Sequence, residues 1–94
     1  MSKDGLRSQI ASIRIRIVNY QTAAKAIRSR KKTSSASYSL AIKNASTASA
    51  KVSARSAKLA AMRAFDNELD NNRRMIEQAR SQIVQLRAQI AAIK

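Results

Sequence analysis

Two stretches at opposite ends of this chain carry a strict heptad repeat, and that repeat restricts the fold to helices packed along a narrow seam. In the first, Leu6, Ile10, Ile13, Ile17, Tyr20, Ala24 and Ile27 recur at alternating spacings of four and three. In the last, Phe65, Leu69, Asn72, Ile76, Ala79, Ile83, Leu86, Ile90 and Ile93 do the same. A period of about 3.5 residues keeps one stripe facing a partner helix, which is the mark of a coiled coil. Beside the seam, with the isoleucine-rich positions as a, the e positions hold Arg7, Arg14 and Arg28 in the first stretch and Arg73, Arg80 and Arg87 in the last. The residues that set partner choice in a coiled coil are therefore cationic on both helices.

Nothing in the composition opposes helix. Proline is absent, and the single glycine, Gly5, lies at the amino end. Three aromatic residues, Tyr20, Tyr38 and Phe65, are too few for a conventional globular core. Ninety-four residues make one small domain, residues 1–94, and an elongated helical one buries only a thin core. The expected class is all-α.

The chain carries 19 lysines and arginines against 5 acids, a formal net charge of +14. Residues 1–33 hold nine bases and one acid, whereas residues 59–94 hold six bases and four acids. Charge at this density implies an anionic partner such as nucleic acid, an acidic protein or an anionic membrane surface. With no cysteine and no histidine, the usual thiol nucleophile, zinc cluster and general base are all missing. There is also no phosphate loop, triad or carboxylate pair in an apolar setting. An enzyme, a cofactor, a metal and a small-molecule substrate are therefore not expected. No apolar run approaches the roughly 20 residues of a transmembrane helix. Arg7, Arg14 and Arg16 interrupt every apolar cluster at the amino end, so no secretory h-region is read there and the expected compartment is the cytoplasm. Export without a leader leaves no mark of this kind.

Along the chain, Ser2 or Asp4 can cap a first helix that reads to about Arg30. Arg28, Arg30, Lys31 and Lys32 gather at its expected carboxyl end, where cations complement the helix dipole. Residues 33–58 are rich in serine, alanine and threonine, a weak-helix or turn region. A faint heptad survives there through Tyr38, Ile42, Ala45, Ser49, Val52, Ser56 and Leu59. From roughly Ala57 onward the last helix opens with Asp66, Glu68 and Asp70, read as helix-start electrostatics.

Two antiparallel registers compete. A turn near Lys32–Ser35 sets the first helix on the middle segment and wastes Ile10 and Ile17 on serines. A turn near Asn44–Ser49 joins the two strong seams instead: Leu6 opposes Leu86, Ile10 opposes Ile83, Ile17 opposes Ile76, and Ile27 opposes Phe65. Each fully buried aliphatic side chain is worth about 1.5–3 kcal/mol. The expectation is thus a helical hairpin of residues 4–43 and 50–94, with a three-helix bundle breaking at Asp70-Asn71-Asn72 as the next arrangement. Tyr20 faces Asn72 in this register, and Ile90 and Ile93 overhang it. A hairpin of this size is marginal by itself, so self-association or a protein partner is expected.

The same register puts Arg7 beside Arg87 and Arg14 beside Arg80, and it brings Arg28 to Asp66. Guanidinium groups suit bidentate phosphate or carboxylate binding. The candidate binding surface is this cluster, extended by Arg16 or by the tract Arg28, Arg30, Lys31 and Lys32. Against it stands the reading that the arginines lie over the seam and stay solvated. Exposed aromatics for base stacking are lacking, so any nucleic-acid binding should be driven by phosphates, with little base readout. The other functional class is a protein-interaction or secretion-partner hairpin that completes a larger bundle. WXG-type hairpins have this length and architecture, but the chain lacks their tryptophan and Trp-x-Gly turn.

Overall fold

The computed structural model describes residues 2–93. Two helices, α1 (Lys3–Asn44) and α2 (Ala48–Ala92), pack against each other as an antiparallel hairpin. The turn occupies residues 45–47, within the window expected from pairing the two strong seams. Ser2 caps α1, its Oγ accepting from the Gly5 amide at 3.1 Å. Thr47 does the same for α2, with its Oγ1 accepting from the Ala50 amide at 3.0 Å.

Both helices extend well into the serine-rich region. α1 does not end near Arg30 but continues to Asn44, with Lys43 in its last turn. Hydroxyls are accommodated locally within α1: Thr33 Oγ1, at the start of this tract, donates to the Ser29 carbonyl at 3.1 Å, as Thr22 Oγ1 does earlier in the helix to that of Val18 at 3.0 Å. Such back-bonding lets hydroxyl residues remain inside a helix. α2 begins at Ala48 and has no acid in its first turn, so Asp66, Glu68 and Asp70 are interior residues and not helix-start electrostatics.

The chain divides into two compact units, Met1–Ala23 with Asn71–Lys94, and Ala24–Asp70. In the first, the terminal unit, Leu6, Ile10 and Ile13 of α1 are buried with Ala79, Ile83 and Leu86 of α2 in one cluster. Ile17, Ile90 and Ile93 pack against that cluster, so the two isoleucines read as an overhang are partly covered. Asn72, on the same seam, is not satisfied by the Tyr20 hydroxyl. Its Oδ1 is buried without a hydrogen-bond partner among the described residues.

In the second, the turn unit, Ala24 and Ile27 are buried and Phe65 and Leu69 half-buried. Beyond them the faint heptad fails on α2. Val52 and Leu59 are 59 % and 54 % exposed, and Ser49 and Ser56 are exposed as well. The half-buried positions before Phe65 are instead Lys51, Ala54, Lys58, Ala61 and Met62. Continuing the alternation of four and three back from Leu69 and Phe65 leads to Met62, Lys58, Arg55 and Lys51; Arg55 is exposed and Ala54 half-buried in its place, so the strict repeat loosens as its residues change character. Alanines need little room, and a lysine can lay its stem along the seam and lift its ammonium outward. Lys58 Nζ reaches Ser39 Oγ at 2.9 Å in this manner.

These differences have measurable consequences. Ile83→Ala is expected to cost about 2–5 kcal/mol, whereas Leu59→Ala should stay within about 0.5 kcal/mol of the parent; chemical denaturation followed by circular dichroism compares them. Asn72→Leu removes an unsatisfied buried carbonyl from the seam and should raise stability by about 1–3 kcal/mol. A lower melting temperature for that variant would show that the asparagine has a partner in solution.

Candidate anion-binding edge

In the terminal unit, four arginines each follow a core residue by one position: Arg7 after Leu6, Arg14 after Ile13, Arg80 after Ala79 and Arg87 after Leu86. One step round a helix from the seam puts each of them at its margin, and in an antiparallel pair these margins are on the same side. All four are exposed. Arg7 Nη1 lies 3.5 Å from Asp4 Oδ1, an exposed contact within one helix turn. Arg14, Arg80 and Arg87 have no ion pair among the described residues. The terminal unit holds nine of the nineteen bases and only two acids, Asp4 and Glu77.

Arg16 lies on the opposite margin. It lines a cleft of about 340 Å³ with Ser8, Gln9 and Ser12 of α1 and Gln82, Gln85 and Gln89 of α2, over Ile13 and Leu86. Arg16 is thus separated from the four-arginine edge it was expected to extend. The amide-lined cleft was not foreseen, although the glutamines at positions 78, 82, 85 and 89 form a heptad-spaced row visible in the sequence.

The basic tract behaves differently from a helix-end arm. It sits within α1, in the turn unit, and half of it is neutralised there. Lys31 Nζ donates to Asp66 Oδ1 at 2.6 Å, and Arg30 Nη2 to Glu68 Oε2 at 3.2 Å. Arg30 also lies over the Phe65 ring, 5.8 Å from its centroid. The expected Arg28–Asp66 pair is replaced by Lys31–Asp66, because Lys31 occupies the half-buried seam position and Arg28 stays exposed. Arg28 and Lys32 carry no ion pair among the described residues. Two of the four acids of α2, Asp66 and Glu68, are thereby paired with α1 in the turn unit.

Comparison of the chain with protein-family models, with curated proteins and with solved structures finds no match. Among the described residues, no helix is long and apolar enough to cross a membrane, and no group of three metal-ligating side chains converges.

Both cross-helix ion pairs are solvent-accessible, and exposed pairs contribute little. Asp66→Asn should lower stability by less than about 1 kcal/mol. A loss several times larger in the same denaturation experiment would make the pair a determinant of the hairpin.

Proposed function

We propose that this chain is a non-enzymatic, strongly basic helical hairpin whose arginine edge engages an anionic macromolecule, nucleic-acid phosphates before an acidic protein groove. The observation that carries this reading is the set Arg7, Arg14, Arg80 and Arg87, held along one margin by the best-buried part of the seam, with only an exposed contact from Arg7 to Asp4 as an ion pair among the described residues. Rigid placement matters because guanidinium groups bind phosphate through paired N–H donors of fixed geometry. Pairing in the turn unit points the same way, since carboxylates capable of neutralising arginine are used on Arg30 and Lys31 instead.

A second reading, a hairpin that completes a larger helical bundle or associates with its own copies, is favoured by a different observation. Ile15 and Val18 of α1 are exposed on the side of the helix away from the seam, as are Leu40, Val52 and Leu59 in the turn unit. Apolar residues placed outside a seam suit a further helix.

Salt separates the two. If the four arginines each neutralise one phosphate, affinity for a random duplex should fall about 150-fold between about 50 and about 200 mM salt. Changing all four to glutamine should reduce the slope of log K against log salt by about 3–4. Light scattering of the chain alone and with the duplex at both salts reads the assembly directly. An oligomer indifferent to duplex and salt would sink the phosphate reading in favour of the bundle.

A further inference from the structure

The exposed surface of α2 from Gln78 to Ala92 is unusual for a solvated helix. It contains no acid and no lysine, only glutamines, Arg80 and Arg87, Ser81, and the small apolar residues Val84, Ala88, Ala91 and Ala92. Solvated faces are normally laced with glutamate and lysine. Val84 is 64 % exposed, and the row Gln78, Gln82, Gln85 and Gln89 is exposed along its length. Among the described residues their amides make no hydrogen bonds.

Helical geometry orders these side chains into three strips. With Ile83 and Leu86 facing the seam, Ser81 and Ala88 lie at the crest opposite it, with Val84 and Gln85 to either side. Arg80 and Arg87 form one flank, and Gln82 and Gln89 the other. A crest of small side chains lets a helix backbone approach its partner closely. Neutral amides beside it offer donor and acceptor together, and the cations stand off to the side. That arrangement matches a B-form major groove, which is about 12 Å wide and admits one helix. Glutamine pairs with the N6 and N7 edge of adenine, and small apolar side chains meet the thymine methyl. Phosphates border the groove, within reach of flanking arginines.

We propose that α2 between Gln78 and Gln89 is a reading helix for duplex DNA, with Gln78, Gln82 and Gln85 on base edges and Arg80 and Arg87 on the backbone. This rests on the phosphate-binding reading above and adds base discrimination to it, in favour of sites rich in A·T pairs. The partner is B-form DNA and not duplex RNA, whose deep, narrow major groove excludes side chains.

The test is selection of binding sites from a randomised DNA duplex library with the full chain at about 100 mM salt (inside the range where phosphate contacts are sensitive). Fluorescence anisotropy then compares the selected duplex, a scrambled duplex and an RNA duplex of the selected sequence. The expected result is an enriched A·T-containing site bound at least about tenfold tighter than its scramble, the scale of one bidentate base contact. The triple variant Gln78→Ala, Gln82→Ala, Gln85→Ala should erase that preference while keeping affinity for the scramble within about twofold, because no phosphate contact is removed. Alanine favours helix, and circular dichroism checks that the hairpin is intact. Duplex binding with no enriched site, equal binding of the RNA duplex, or a preference unchanged in the triple variant would each overturn the proposal while leaving phosphate binding standing. No duplex binding at about 50 mM salt would remove both.

Discussion

The packing of Leu6, Ile10 and Ile13 against Ala79, Ile83 and Leu86 joins residues from the two ends of the sequence, and the terminal unit depends on it. A chain without cysteine has no disulfide to share the task. The contact also has an electrostatic cost. It draws together helices whose margins carry Arg7, Arg14, Arg80 and Arg87, like charges that oppose the closure. Burial of five large aliphatic side chains, each worth about 1.5–3 kcal/mol, is sufficient to outweigh exposed and screened repulsion. The same side chains that close the unit thus hold its cations in a row.

The turn unit is built on different terms. Its seam is thinner, with Lys51, Ala54, Lys58, Ala61 and Met62 where the terminal unit has isoleucine and leucine. Cross-helix ion pairs accompany it, Arg30 with Glu68 and Lys31 with Asp66. These interactions are individually weak. They nevertheless absorb two of the five acids. The two units carry equal excess charge, nine bases against two acids and ten against three, and differ in where the ion pairs cross between helices.

Much of the architecture was legible because the heptad is a direct record of helix geometry. Two strong seams of similar length predicted antiparallel pairing and placed the turn near Asn44–Ser49, where residues 45–47 form it. The reading failed where it followed apolar letters instead of period. Val52 and Leu59 are hydrophobic but one step out of phase with Phe65, and they face away from the seam. Lys51 and Lys58 are charged but in phase, and their stems are half-buried. Propensity penalises serine and threonine and by itself ends α1 early, yet Thr33 finds a carbonyl acceptor within its own helix.

The sequence by itself determined the helical class, the antiparallel pairing and the presence of unanswered arginines, because each depends on period, composition or charge, all of which are local properties. Tertiary structure alone decided which cations remain unanswered. Whether a given base meets an acid depends on the packing of two helices distant in sequence, and Lys31, three residues beyond Arg28, is the partner of Asp66. Likewise, only packing separates Arg16 from the arginine edge and sets it in the amide-lined cleft with Gln82, Gln85 and Gln89. Side choice is a matter of angle about an axis, and that angle acquires meaning only when a second helix defines what is inside.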